Sequence, residues 1–126
     1  MFTTLISVAL GGAVGASARY LTNVAVARAV GFGFPLGTMV VNVVGSFLMG
    51  VLVVVLARKG GNAFAPFLMT GVLGGFTTFS AFSLDTLTLV ERGAFGQAGL
   101  YAGLSVALSL GAIVLGLVAA RAVVPL

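Results

Sequence analysis

Four long apolar segments, joined by short loops, occupy almost the whole of this 126-residue chain. Only 6% of the residues are charged and 60% are hydrophobic, whereas a soluble domain carries about 25% charged residues. Such a composition cannot cover a globular surface that faces water. Each segment supplies the roughly 20 apolar residues that a membrane helix needs. The sequence therefore predicts an integral membrane protein with a single domain, residues 1–126.

Glycine, proline and charged residues mark the ends of the four predicted spans, which cover about residues 3–30, 36–57, 64–90 and 95–120. The first segment has no basic stretch before it and no small-residue cleavage site close behind a short apolar core. We therefore interpret it as a helix and not as a signal peptide. The expected fold is all-α, with four transmembrane helices and both termini on one side of the membrane.

The side chains that most catalytic sites require are missing. The chain has no cysteine and no histidine, and its only acids are Asp85 and Glu91. Metal clusters, thiol nucleophiles and serine-histidine-aspartate triads are thereby excluded, so an enzyme is the least favoured class. The net charge of +4 comes from scattered basic residues, whereas a nucleic-acid patch needs them clustered.

Basic residues are divided almost evenly between the two sides of the membrane. The side of the termini carries Arg58, Lys59 and Arg121, and the other side carries Arg28, Arg92 and, if it lies near that end, Arg19. The positive-inside rule sets orientation by an excess of lysine and arginine on one side. The even division leaves two possibilities: other features select one orientation, or copies insert both ways and pair as an antiparallel homodimer.

Glycines spaced by four residues add a second reason to expect close helix contacts. Such pairs let helix backbones approach each other in a membrane, although glycine is frequent in membrane helices generally. The pairs are Gly11 with Gly15, Gly71 with Gly75, and Gly99 with Gly103.

The third span holds the densest group of polar residues, which are costly inside a membrane and often functional. Gly74 and Gly75, followed by Thr77 and Thr78, are poor helix formers and predict a break near its middle. A break frees backbone carbonyls that need a partner where water is absent, and a bound cation is one such partner. The alternative is an unbroken helix in which the glycines only make packing room.

Aromatic and hydroxyl side chains follow this break and recur in the fourth span. Phe79 and Phe82 share a helix face, and the edge of a phenyl ring carries the positive part of its quadrupole. An anion can use such edges, but ordinary packing remains open. Tyr101, Ser105 and Ser109 recur every four residues and form a hydroxyl stripe, unless the serines bond to their own helix backbone.

Three isolated polar residues lie inside the predicted spans. Asn42 is a lone amide that can join helices or bind a ligand. Asp85 and Arg19 are the only charges well inside spans, so each must be paired, face water or reach an interface. We interpret Asp85 as a structural residue or part of a pore mouth.

Three segments, Gly11–Tyr20, Gly37–Gly50 and Gly71–Ser83, resemble the Fluc (CrcB-type) fluoride channels. The resemblance extends over essentially the whole chain, and the third segment is its most specific part. It implies a passive, fluoride-selective channel in the inner membrane of a bacterial cell, a multi-pass protein that exports fluoride from the cytoplasm and relieves its toxicity. It also implies an antiparallel homodimer of dual topology with two pores.

The resemblance also implies roles for particular residues. Phe79 and Phe82 would meet fluoride with their ring edges, Asn42 would be a pore amide, and Arg19 would attract anions to a vestibule. A structural sodium ion at the dimer axis would be held by the backbone carbonyls of Gly74 and Thr77 from both subunits; no organic cofactor is implied. The remaining polar pore residues would be Ser80, Ser83, Tyr101, Ser105 and Ser109.

Coupled transport is the main alternative. An exporter of the small-multidrug-resistance type needs a membrane-buried acid, usually in the first span, and the first span here has no aspartate or glutamate. A proton-coupled exporter of a small ion would have Asp85 as the one plausible proton carrier inside a span. A purely structural membrane protein would leave the polar, glycine-rich third span unexplained.

Overall fold

A computed structural model describes residues 1–126, and all of its regular structure is helical. Helix α1 spans Phe2–Val30, α2 spans Leu36–Lys59, and α5 spans Phe95–Val123. The third span, Asn62–Glu91, lies between α2 and α5 and is interrupted. All four are long and apolar enough to cross a membrane, which confirms the prediction of an all-helical, four-span protein.

The first half of the third span changes helix type along its length. A 3-10 turn, Asn62–Phe64, is followed by a π-helix, Pro66–Leu73. A single α-helical turn, α3 (Gly74–Phe76), then ends this half. Departures from regular α-helix of this kind are common at functional sites.

The break itself lies at Thr77 and Thr78, whose backbones are extended with ψ angles of 158° and 122°. The chain resumes as α4, Phe79–Glu91. The predicted break is confirmed, and it begins two residues after Gly75. The alternative of an unbroken third helix is wrong.

Helix α1 packs against the first half of the third span through glycines of both elements. A methyl group on Gly11 would collide with Gly71, and one on Gly15 would collide with the carbonyl of Val72. A methyl group on Gly75 would collide with the backbone of α1. Two of the glycine pairs seen in the sequence therefore form one interlocked contact, in which only glycine lets the backbones meet.

Helices α2 and α5 meet in the same way, through glycines that no spacing in the sequence had indicated. A methyl group on Gly50 would collide with the carbonyl of Ile113, and one on Gly116 would collide with the carbonyl of Phe47. Since these glycines belong to different helices, their partnership is visible only once the helices are packed.

Much of the apolar surface is uncovered in the single chain, where only 17 of 126 residues are buried. The main buried cluster is small and consists of Met39, Leu89, Ala98 and Tyr101. The remaining glycine pair, Gly99 and Gly103, has no other element within 4 Å of the positions where methyl groups would lie. Lipid or another protein chain must cover these surfaces, because a soluble monomer rarely exposes so much apolar area.

Candidate functional site

The side chain of Asn42 bridges the break in the third span. Its Nδ2 donates to the carbonyl oxygen of Thr78 at 3.0 Å, and its Oδ1 accepts from the Thr78 N–H at 2.8 Å. The break deprives the Thr78 N–H of a helix partner, which the amide from α2 replaces, and the same amide adds a second donor to the Thr78 carbonyl at the start of α4. The second N–H of the amide is left over for another acceptor.

The threonines at the break satisfy other local groups. The Thr77 N–H and hydroxyl both donate to the carbonyl of Leu73, at 3.0 and 2.9 Å. The Thr78 hydroxyl accepts from the Ala81 N–H at 3.2 Å and caps the start of α4. The Thr78 hydroxyl therefore replaces a backbone partner that the break removes from the first turn of α4, whereas the Thr77 hydroxyl is satisfied by a carbonyl one turn earlier in its own helix.

Three backbone carbonyls at the break, those of Gly74, Gly75 and Thr77, differ in their hydrogen-bond partners. The carbonyl of Gly75 accepts from Nε of Arg19 at 3.1 Å. The carbonyls of Gly74 and Thr77 accept none of the hydrogen bonds formed outside the helices, whether from backbone or side chain. A hard cation prefers oxygen ligands, so these two carbonyls have the right chemistry for a sodium ion.

A cavity of about 420 Å³ lies beside the break, between α2, α4 and α5. It is lined by the predicted pore residues Asn42, Phe79, Phe82, Ser105 and Ser109 and by both threonines of the break. We call it the central cavity. It combines an amide, aromatic rings and hydroxyls that come from distant parts of the sequence.

Ser105 and Ser109 have buried hydroxyls with no hydrogen-bond partner. By contrast, Ser83 donates to the carbonyl of Phe79 at 3.0 Å and Thr86 donates to that of Phe82 at 2.8 Å. Bonding to the helix backbone thus accounts for the hydroxyls of Ser83 and Thr86 on α4 but not for the serines of α5. A buried unpaired hydroxyl costs about 1 to 3 kcal/mol, so these serines can bind a water molecule or an ion in the central cavity.

Aromatic rings lead away from the central cavity toward Asp85. The centroid of Phe82 lies 5.4 Å from that of Phe79 and 5.4 Å from that of Tyr101. Tyr101 is fully buried, meets Phe34 edge-on at 5.5 Å, and donates its hydroxyl to Oδ2 of Asp85 at 3.0 Å. Asp85 therefore binds a hydroxyl beyond the rings and does not pair with Arg19.

The other predicted site residues lie outside the central cavity in the single chain. Tyr101 is joined to it through Phe82. Ser80 and Ser83 are exposed on α4, and Ser80 Oγ lies 3.3 Å from Thr78 Oγ1. Arg19 is half-buried at the break, with no part in the cavity lining.

Sequence reasoning did not select Ser46 and Met49, which also line the central cavity from α2. They follow Asn42 by four and seven residues and so share its helix face. The spacing indicates that the three residues share a helix face. It indicates a site only once that face of α2 is known to contact the break.

The fold and the site together define a small multi-pass membrane protein with a cavity between its spans that is lined by both apolar and polar side chains. The model of the family described as CrcB-like protein, Camphor Resistance (CrcB), matches residues 6–117. The chain belongs to this family, which confirms the resemblance to the Fluc (CrcB-type) fluoride channels.

Several relatives are similar over nearly their whole length. A fluoride-specific ion channel FluC from Cereibacter sphaeroides is 69% identical over 121 residues, covering 96% of this chain and 97% of the relative. A protein of the same name from a Ruegeria species is 61% identical over 124 residues, with 98% of each chain covered. A third, from Roseobacter denitrificans, is 57% identical over 122 residues.

Proposed function

We propose that this chain forms a passive ion channel selective for fluoride. Relatives named fluoride-specific ion channels are up to 69% identical to it. The observation that carries the proposal is the pair of buried, unpartnered hydroxyls of Ser105 and Ser109 beside the rings of Phe79 and Phe82. These groups are donors and positive ring edges, which suit a dehydrated anion.

Dehydration is the physical basis of the proposed selectivity. Fluoride is small and strongly hydrated, so a narrow pathway must replace its water with closely spaced donors. The two serine hydroxyls and the free N–H of Asn42 supply such donors within one cavity. Chloride is larger and gains less from donors that are spaced for fluoride.

We also propose that two copies assemble as an antiparallel homodimer of dual topology, with two pores. The even division of basic residues between the two membrane sides supports it. Phe79 is 77% exposed in the single chain although it borders the central cavity. A second copy against this surface would enclose the cavity, and Gly99 and Gly103 offer an unoccupied close-contact surface.

A structural sodium ion at the dimer axis belongs to the same proposal. The carbonyls of Gly74 and Thr77 lack hydrogen-bond donors outside the helices, and two antiparallel copies would contribute two such pairs. When bound, the ion would offset the cost of leaving these carbonyls unpaired in a water-free environment. The residues that hold it are backbone groups, and no organic cofactor is required.

The proposed location is the inner membrane of a bacterial cell, because α-helical spans are the structures of that membrane and outer-membrane proteins are β-barrels. A passive fluoride channel there lets accumulated fluoride leave the cytoplasm down its gradient. It would thereby relieve fluoride toxicity without a coupled energy source.

Fluoride efflux from liposomes that contain the purified protein tests this function. With valinomycin present to carry the balancing potassium, we expect rapid fluoride efflux and no chloride efflux. Without valinomycin, an uncoupled channel releases almost no fluoride. Release that needs no valinomycin but follows a proton gradient would indicate an exchanger with Asp85 as its proton carrier, and no flux at all would contradict transport.

A further inference from the structure

A second cavity, of about 80 Å³, lies beside Asp85, the residue that accepts the hydrogen bond of Tyr101 at the end of the row of aromatic rings. Helix α4 contributes Asp85, Thr88 and Leu89 to its lining, its C-cap residue Arg92 also lines it, and the α1–α2 loop contributes the rest. We call it the distal cavity. It shares Asp85, the acceptor of the Tyr101 hydroxyl, with the aromatic row, and its other residues on this side of the chain follow Asp85 in the sequence.

One face of α4 connects the two cavities. Phe82 lines the central cavity, and Asp85, Leu89 and Arg92 line the distal one. Their spacing of three, four and three residues keeps them on a single helix face. At 1.5 Å per residue, Arg92 lies about 20 Å along the axis from Phe79, at the end of α4. The distal cavity is therefore close to the membrane surface.

The charges that border the distal cavity oppose each other. The carboxylate of Asp85 repels an anion, whereas the guanidinium of Arg92 attracts one. Arg19 and Arg58 donate to backbone carbonyls, but the Arg92 guanidinium has no protein acceptor and its residue is exposed. Its charge is thus available to an ion in the cavity.

We propose that the distal cavity is the second mouth of the ion pathway and that Arg92 is the residue that makes this mouth attractive to fluoride. The inference rests on the proposed function and adds a charged residue that acts at the entrance. Arg92 offsets the repulsion by Asp85 and raises the local fluoride concentration. Arg92 attracts the ion through its electric field and need not touch it, so salt screens the effect.

The test compares Arg92→Gln with Arg28→Gln in the liposome efflux assay at several ionic strengths. Arg28 is a matched control, because it is exposed at the same membrane end, in the last turn of α1, and lines neither cavity. At about 10 mM salt, where the Debye length is about 30 Å, we expect Arg92→Gln to lower the initial fluoride rate about threefold, as removal of one nearby charge would.

We expect two further results, one at high salt and one with a lysine variant. The difference between the two variants should vanish near 1 M salt, where screening acts over about 3 Å, and Arg92→Lys should keep the wild-type rate. Equal rates of Arg92→Gln and Arg28→Gln at low salt would overturn the inference while the channel function stands. A loss that persists at 1 M salt would also overturn it, since structural damage is not screened. An inactive wild type would remove the proposed function, and the inference with it.

Discussion

The amide of Asn42 binds both backbone groups of Thr78, donating to its carbonyl at 3.0 Å and accepting from its N–H at 2.8 Å. A helix can be interrupted inside a membrane only if its freed backbone groups find partners. Asn42 supplies them from α2 and also lines the central cavity. The same residue therefore stabilises the backbone at the break and faces the proposed ion pathway.

Replacing Asn42 with alanine should destabilise the protein as well as reduce fluoride flux. The Thr78 N–H would be left unpaired, at a cost of about 1 to 3 kcal/mol, while the Thr78 carbonyl would keep only the bond that it accepts within α4. Thermal unfolding in detergent, with Asn62→Ala at an exposed position as the control, measures this loss. An Asn42→Ala protein as stable as the control would show that the Thr78 bonds are dispensable.

Replacing Ser105 or Ser109 with alanine should reduce flux without lowering the stability. Neither hydroxyl has a protein partner to lose, but a hydrogen bond to a charged group is worth about 1.5 to 3 kcal/mol. We therefore expect at least a roughly tenfold lower fluoride rate. Ser17→Ala is the control, because Ser17 donates to its own helix at the carbonyl of Ala13. Full activity of both variants would exclude these hydroxyls as fluoride donors.

Phe79→Ile should suppress fluoride flux without preventing assembly. Isoleucine keeps an apolar side chain but removes the ring edge, whose interactions are worth about 0.5 to 1.5 kcal/mol. The rate should fall roughly threefold to tenfold, with the oligomer unchanged in size-exclusion chromatography. The control is Phe95→Ile, at a phenylalanine that is 68% exposed and outside both cavities. Unchanged permeation would remove the ring-edge interaction for Phe79.

Dual topology can be tested by adding lysines at one membrane end. Gly96→Lys with Gln97→Lys adds charge at one end, and Asn62→Lys with Ala63→Lys adds it at the other, all at exposed positions outside both cavities. Each double variant should insert in one orientation and be inactive alone, and co-expression should restore flux. Full activity of either variant in a single, verified orientation would contradict the antiparallel dimer.

Gly15→Ala should destabilise the contact between α1 and the third span. The added methyl group would collide with the Val72 carbonyl, which cannot move without shifting the backbone. Overpacking of this kind costs about 1 to 3 kcal/mol and should lower the unfolding temperature. At Gly12 a methyl group meets nothing within 4 Å, so Gly12→Ala should behave as wild type. Equal stability of the two variants would rule out the interlocked glycine contact.

The sequence by itself determined the four membrane spans and the position of the break. Both follow from local properties: near absence of charge over long segments, and the weak helix propensity of Gly74, Gly75 and the threonines after them. The motifs around Phe79 were also sufficient to recognise the family. No knowledge of how the helices pack was needed for any of these conclusions.

Only the tertiary structure decided which polar residues act together. The pairing of Asn42 with Thr78, and the absence of a partner for Ser105 and Ser109, depend on contacts between helices that are distant in sequence. A helical pattern shows that a serine can bond to its own backbone, as Ser83 does, but cannot show whether it does. That choice depends on the three-dimensional surroundings of each hydroxyl, which exist only after the spans have packed.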